Sequence, residues 1–172
     1  MVERGGAGLI TAIYPGSFDP AHLGHLDVAR RGAQIFDRLI FAVNAGQSAK
    51  TRLFTVEERV ELARVALADV PNVIVDSFQG LLVDYARQVG ARVIVKGLRT
   101  VADFGDEFQQ AHMNGALMPG IESVFLMTRP EYAFMSSTLL KEVARLGGRI
   151  GGMVSPGVEQ ALRQRFGTLE PV

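Results

Sequence analysis

Short apolar segments alternate with amphipathic helical segments along nearly the whole chain, and this alternation limits the fold more than any other feature. Five apolar segments are rich in the β-branched and aromatic residues that favour strands. They span residues 9–14, 38–43, 72–76, 91–96 and 122–127. Nearly continuous apolar strands that alternate with helices are typical of a parallel sheet covered on both faces.

The segments between and after these strands have helical periodicity. Helices are predicted at residues 25–36, 55–68, 81–89, 101–117, 136–146 and 156–166. Thr55 and Glu58 have capping-box spacing, Ser136 or Ser137 is expected to cap the fifth helix, and Pro156 suits the first turn of the last. Five strands are too few for an eight-stranded barrel. We therefore predict an open, doubly wound, five-stranded parallel sheet of the Rossmann-like α/β class.

Length and composition narrow the classes of protein. The 172 residues suit one domain, taken as residues 1–172 with 1–8 as a flexible N-terminal extension. Eighteen basic and eighteen acidic residues give no net charge, which argues against a nucleic-acid or membrane partner. The chain has no cysteine, so thiol chemistry and thiolate metal sites are excluded. With no apolar run near the roughly 18 residues of a membrane span, and no signal-peptide pattern, we expect a cytoplasmic protein.

The loop between the first strand and the first helix carries the clearest chemical signal. Ligands of open parallel sheets bind beyond the carboxyl ends of the strands, and this loop holds Ser17, His22 and His25. The amides at a helix start favour phosphate. A metal site, for which no third ligand stands near in sequence, and a helix cap with incidental imidazoles are the alternatives. The glycine patterns of P-loops and of dinucleotide-binding loops are absent.

Within this loop, Ser17-Phe-Asp-Pro20 and His22-Leu-Gly-His25 resemble the H-x-G-H signature of the nucleotidyltransferase superfamily. Lys96-Gly-Leu-Arg99, Ala111-His-Met-Asn114 and residues 134–143 follow in an order that resembles the bacterial phosphopantetheine adenylyltransferases. The resemblance covers Tyr14 to about Phe166. Its members transfer the adenylyl group of ATP to 4′-phosphopantetheine in coenzyme A biosynthesis, reversibly, with 3′-dephospho-coenzyme A and pyrophosphate as products.

The resemblance implies a set of site residues. The catalytic positions are His25, Ser17, Lys50 and Arg99, with His25 stabilising the transition state at the α-phosphate. The ATP-binding positions are Ser17, Phe18, His22, His25, Gly97, Leu98, Arg99, Glu107, Tyr132, Ala133, Phe134, Met135, Ser136, Ser137 and Thr138. The positions that bind the acceptor are Ser17, Lys50, Leu82, Lys96, Met113 and Asn114.

Several of these positions have plainer interpretations. The loop from residue 44 to 54 is one residue longer than the family's common pattern, so Ala49 and Lys50 compete for one place, and only Lys50 can bind phosphate. Arg99 could be a surface cation and Glu107 a solvated helix residue. Met113 could serve packing alone. His112 is expected to be structural, in a core or a subunit contact.

The acceptor's phosphate oxygen is already anionic, so this chemistry needs positioning and charge stabilisation rather than a side-chain base. Mg²⁺ is expected, held mainly through ATP phosphates, with no dedicated protein metal site. The resemblance also implies a homohexamer and coenzyme A as a feedback ligand. The alternatives are a sister adenylyl- or cytidylyltransferase with another acceptor, a non-catalytic ATP-binding module, and a structural α/β partner protein.

Overall fold

The computed structural model describes residues 8–46 and 52–167. Its sheet has five parallel strands: β1 Thr11–Gly16, β2 Arg38–Asn44, β3 Val73–Phe78, β4 Val93–Leu98 and β5 Glu122–Met127. Their order across the sheet is β3-β2-β1-β4-β5. The predicted α/β class and the open five-stranded parallel sheet are confirmed. The predicted extension, residues 1–8, lies outside the described residues except for Gly8.

Six α-helices connect and follow the strands: α1 Leu23–Ile35, α2 Val56–Ala66, α3 Leu82–Val89, α4 Val101–Leu117, α5 Ser137–Arg145 and α6 Pro156–Phe166. The predicted caps are confirmed at Thr55, which forms a capping box with Glu58, and at Ser136, whose side chain accepts from the Leu139 amide. A short 3₁₀ turn, Pro130–Tyr132, was not predicted. Every helix in the described ranges is too short or too polar to cross a bilayer.

Four of the five strands differ from their predicted bounds by one or two residues, and two of these strands and the first helix differ next to the predicted site. Pro15 and Gly16 were expected to end the first strand, yet both stay in register with β2. Gly97 was expected to stop the fourth strand, but it pairs with β5. Pairing across the sheet overrides these local breaker signals. The first helix begins at Leu23 rather than His25, which places His25 in its first turn.

Alternate residues of each strand face opposite sides of the sheet, and each side has its own core. Tyr14 and Phe41 belong to the cluster on the side of α1, whereas Ile13 and Ile94 belong to the cluster that packs against α3. A third cluster joins α5 to α6 through Leu140 and Leu162. Helices therefore cover both faces, as the doubly wound prediction requires.

Candidate active site

A cleft of about 400 Å³ opens where β1 and β4 end. These strands are neighbours, and the chain winds in opposite directions from them, so the cleft lies at the switch point where such folds bind ligands. Ten of the predicted site residues line it: Ser17, Phe18, His22, His25, Lys96, Gly97, Arg99, Glu107, Ser136 and Ser137. Tyr14, Asp103, Asp106, Gln110 and Thr128 also line the cleft and were not predicted.

The two histidines of the first loop stack on each other at the N-terminus of α1. Their ring centroids are 3.6 Å apart, and the backbone N–H of His22 donates to Nδ1 of His25 at 3.3 Å. A neutral imidazole with an accepting Nδ1 carries its proton on Nε2. His25 therefore has Nε2–H as its hydrogen-bond donor.

Burial keeps both imidazoles neutral. Together with a smaller effect of the Arg99 guanidinium, it lowers the pKa of His22 to about 4. The pKa of His25 lies well below its usual value, first because of burial and then because of His22 and Arg99. At neutral pH the pair consequently offers neutral N–H donors rather than imidazolium charge.

Aromatic rings leave little room for a side chain at the glycine that ends β1 and at the one in the first turn of α1. A Cβ on Gly16 would lie 2.6 Å from the Phe18 ring, and one on Gly24 would lie 3.0 Å from Cε1 of His22. Phe18 cannot easily move, since its ring stacks on Phe41 with centroids 3.9 Å apart. Phe18 also meets His25 edge-on at 5.0 Å, so it supports the His25 ring from the core side.

Arg99 joins two walls of the cleft. Its Nε is 3.2 Å from Oδ2 of Asp103, in the first turn of α4. Another guanidinium nitrogen donates to the Met135 carbonyl at 3.1 Å, just before α5. These two contacts hold the Arg99 side chain in place, so it is not a loose surface cation.

Lys96 enters the cleft from β4 and is held by two side chains of α4. Its Nζ lies 2.8 Å from Oε2 of Glu107 and 3.2 Å from Oε1 of Gln110. The Glu107 side chain is only 24% exposed, so it is not a solvated helix residue. Its pairing with Lys96 places it beside the predicted acceptor residue as well as beside the nucleotide positions.

The predicted ATP loop divides between the cleft and its surroundings. Ser137 lines the cleft, but its hydroxyl donates to the Pro20 carbonyl at 2.8 Å. Thr138 lies in a neighbouring groove with Lys141, and Tyr132 lines a groove beside α1. Four other predicted ATP-binding residues do not line the cleft. Ala133 ends the 3₁₀ turn and Phe134 is exposed, whereas Leu98 and Met135 are buried.

Three predicted acceptor residues are not brought into this cleft. Leu82 packs against the core cluster on the α3 side. Met113 and Asn114 lie near the C-terminal end of α4, and Met113 is largely exposed. Lys50 lies outside the described residues. The acceptor roles of these four residues stay predictions, and Ser17 and Lys96 are the acceptor positions that line the cleft.

Sequence reasoning missed the supports of the first loop, above all Asp19. This buried carboxylate accepts from the amides of Leu53 and Phe54, both at 2.9 Å, and from Nζ of Lys141 at 2.8 Å. Burial raises its pKa, but these hydrogen bonds outweigh that effect and the net pKa is lowered. The Phe-Asp-Pro pattern was the signal that could have identified Asp19. Nothing near it in sequence could have identified its partner Lys141, which lies 122 positions away.

No group of three or more metal-ligating His, Asp or Glu side chains occurs among the residues that the structure describes. The cleft instead presents imidazoles, hydroxyls and two cations. These are donors for anionic oxygen.

The fold agrees with comparisons to known proteins. A family model described as Cytidylyltransferase-like matches residues 13–143. Among solved structures, a putative nicotinate-nucleotide adenylyltransferase from Vibrio parahaemolyticus superposes with a TM-score of 0.69, covering 90% of this chain and 98% of that one. A lipopolysaccharide core biosynthesis protein from Thermoplasma volcanium gives a TM-score of 0.55 and covers 71% of this chain and 99% of that one. At 17% and 19% identity, these likenesses show the fold alone.

Curated relatives are far more similar in sequence. A phosphopantetheine adenylyltransferase from Moorella thermoacetica is 52% identical over 158 residues, which are 92% of this chain and 98% of that protein. Proteins of the same name from Desulforudis audaxviator and Thermomicrobium roseum are each 53% identical, over 91% and 92% of this chain and 95% and 96% of their own. The chain therefore belongs to the phosphopantetheine adenylyltransferase family, within the cytidylyltransferase-like nucleotidyltransferases.

Proposed function

We propose that this cleft transfers the adenylyl group of ATP to 4′-phosphopantetheine, the reaction for which the chain's family is named. The observation that carries the proposal is the stacked His22–His25 pair at the N-terminus of α1. It stands in one cleft with Lys96 and Arg99. Two neutral imidazole donors, a helix N-terminus and two cations suit a bound triphosphate and a second anionic substrate.

In the proposed step, an oxygen of the acceptor's phosphate attacks the α-phosphorus of ATP. The bond from this phosphorus to the oxygen bridging the α- and β-phosphates breaks, and pyrophosphate leaves with the electron pair. No proton has to be removed, because the attacking oxygen is anionic at neutral pH. Nε2–H of His25 donates to an α-phosphate oxygen, where negative charge must be stabilised in the transition state.

The remaining cleft residues divide between the two substrates. Lys96, held between Glu107 and Gln110, binds the acceptor's phosphate. Arg99 and Ser136 face the nucleotide, and His22 completes its phosphate contacts. Ser17 is exposed at the end of β1, where it can meet both phosphates. Each cation already has a carboxylate partner, so its position is fixed before substrates bind.

Mg²⁺ fits this donor set when it is held through the triphosphate and water, as is usual for ATP. It would neutralise phosphate charge and orient the leaving pyrophosphate. We expect turnover to stop when a chelator removes Mg²⁺ and to return when the ion is added back.

Three further parts of the proposal concern the whole protein. We propose a homohexamer, supported by α4, in which no residue is buried although Phe108 and Met113 are apolar. We propose coenzyme A as a feedback ligand, because it shares the phosphopantetheine moiety with the acceptor. We also propose a cytoplasmic location, where ATP and the acceptor are available.

The test is to incubate the protein with ATP, Mg²⁺ and 4′-phosphopantetheine and to detect 3′-dephospho-coenzyme A by mass spectrometry. Pyrophosphate release is followed in parallel with nicotinate mononucleotide and glycerol phosphate as alternative acceptors. We expect product only with phosphopantetheine. Product only with another acceptor would identify a sister transferase, and ATP binding without turnover on any acceptor would indicate a binding module.

A further inference from the structure

Arg59 is a buried arginine beneath the first loop. It belongs to the first turn of α2 and is only 3% exposed. Its guanidinium donates to three backbone carbonyls on three segments: Nε to Thr55 at 3.2 Å, and a terminal nitrogen to Asn44 at 3.1 Å and to Ser17. One side chain thus ties the start of α2 and the end of β2 to the catalytic loop.

The charge of this arginine is not balanced by a direct partner. No carboxylate lies within ion-pair distance of Arg59 in the parts of the chain that the structure describes, unlike Lys96 and Arg99, which pair with Glu107 and Asp103. Asp19 and Glu57 act on Arg59 only at longer range, and Asp19 is itself held by Lys141 and two amides. A buried charge costs free energy unless it is compensated. If the contact served stability alone, a neutral hydrogen-bond donor would connect the three segments at a lower cost in free energy.

The identity of the residue fits a geometric role. Only the planar guanidinium presents several donors in a fixed fork, and it stays protonated even when burial lowers its pKa. A lysine ammonium would keep the charge but could not span three carbonyls with the same geometry. The Ser17 carbonyl is one of the three acceptors. The Arg59 guanidinium therefore fixes the backbone of Ser17, the residue proposed to meet both phosphates.

We propose that Arg59 is a positioning residue for adenylyl transfer: it holds Ser17 through its carbonyl so that the Ser17 hydroxyl meets the reacting phosphates. This inference rests on the proposed function. It assigns a role in catalysis to a residue that contacts neither substrate. The role predicts energetic coupling between Arg59 and the Ser17 hydroxyl, which a tie that serves stability alone would not produce.

A double-mutant cycle tests the coupling. kcat and KM are measured for the wild type, Arg59→Lys, Ser17→Ala and the double variant, with ATP and 4′-phosphopantetheine. We expect Arg59→Lys to lower kcat/KM about tenfold or more in the wild type but less than about twofold in the Ser17→Ala background, because neighbours that act as a unit are not additive. The loss should lie in kcat more than in KM. Arg64→Lys, on the exposed side of the same helix, should leave both constants unchanged.

Equal losses in the two backgrounds, or no loss from Arg59→Lys, would overturn the proposal. Thermal melting of every variant is recorded, and Arg59→Gln repeats the cycle if Arg59→Lys melts below the assay temperature. Unfolding of both variants would also overturn it, because Arg59 would then serve the fold. The wild type is assayed in parallel for 3′-dephospho-coenzyme A: if it forms none, the proposed function fails, whereas an active wild type beside a fully active Arg59→Lys rejects the positioning role alone.

Discussion

At the scale of single residues, the site depends on imidazoles that the fold keeps uncharged. His22 and His25 are buried side by side, and both have lowered pKa values. Two imidazolium ions stacked at 3.6 Å would repel each other, whereas two neutral rings can stack and still donate to phosphate. The positive charge in the cleft comes instead from Lys96 and Arg99, each held by its own carboxylate.

The replacement His25→Ala separates catalysis from binding. We expect it to lower kcat by about 10² or more, the usual loss for one preorganised donor to transition-state charge, and to change the Kd for ATP little. Turnover is followed by pyrophosphate release and binding by titration calorimetry. An equal loss in both quantities would mean that His25 only binds the nucleotide.

The replacement Lys96→Ala tests the acceptor site. Removing this cation should raise the KM for phosphopantetheine about tenfold, the cost of one charged hydrogen bond, while the KM for ATP stays near that of the wild type. Arg92→Ala removes an exposed cation from the segment just before β4 and serves as the matched control. A KM for phosphopantetheine that does not change would remove Lys96 from the acceptor site.

The buried His22 predicts a loss of stability in mild acid. Its pKa is about 4 in the folded chain and about 6.5 when unfolded. Between these values the unfolded chain binds the proton more tightly, so the free energy of unfolding falls as pH drops from about 6.5 to 4. His22 alone accounts for up to about 3 kcal/mol of this loss, and His25 adds to it.

Urea titrations at a series of pH values between 7 and 4 measure this effect. In His22→Gln the slope of the free energy of unfolding against pH should become shallower, because one of the two buried imidazoles is gone. A wild-type stability that stays constant from pH 7 to pH 5 would contradict the assigned protonation states.

At the scale of elements, α5 and α6 form a unit that reaches the first loop from outside the sheet. Ser137 and Lys141 of α5 bond to Pro20 and Asp19. The helix is held in turn by the α5–α6 cluster, in which Leu162 is fully buried. The position of the first loop thus depends on packing between two helices that lie far from it in sequence.

We expect Leu162→Ala to lower the free energy of unfolding by about 2–5 kcal/mol, the range for emptying a buried leucine site. Urea unfolding measures the loss. Leu146→Ala, a substitution just after α5 at a residue 78% exposed, should change stability by less than about 0.5 kcal/mol. Similar effects of the two substitutions would contradict the packing described for α6.

At the scale of the whole molecule, α4 combines residues that serve the cleft with large apolar residues that stay about half exposed or more. Glu107 and Gln110 turn towards the cleft, where they hold Lys96. Phe108 and Met113 remain 48% and 61% exposed, although large apolar side chains are usually covered. Exposed apolar surface on the helix that also serves the site is consistent with the proposed assembly.

If copies of the chain pack through this surface, Phe108→Glu should give a smaller species than the wild type. Light scattering coupled to size-exclusion chromatography measures both masses, with a mass of six chains expected for the wild type. Val65→Glu changes an exposed apolar residue of α2 and should leave the mass unchanged. A wild-type mass equal to one chain, or a Phe108→Glu mass equal to the wild type, would reject the role of α4 in assembly.

The sequence by itself determined the α/β class, the number of strands, the cap at Thr55 and the place of the His22–His25 pair, and it narrowed the cap of α5 to Ser136 or Ser137. These follow from local chemistry, because side-chain periodicity, capping spacing and turn residues act over a few positions. The ends of β1 and β4 nevertheless differ from the prediction, because pairing between strands outweighs the tendency of Pro15 and Gly97 to end a strand.

Tertiary structure alone decided which of the candidate residues share the cleft. It joined Asp19 to Lys141, placed Arg59 beneath Ser17, paired Lys96 with Glu107 and left Thr138 in a neighbouring groove. The physical reason is that these contacts depend on strand order and helix packing, which bring distant loop ends together. Periodicity within a segment carries no information about that distance, so the supports of the site could be found only in the folded chain.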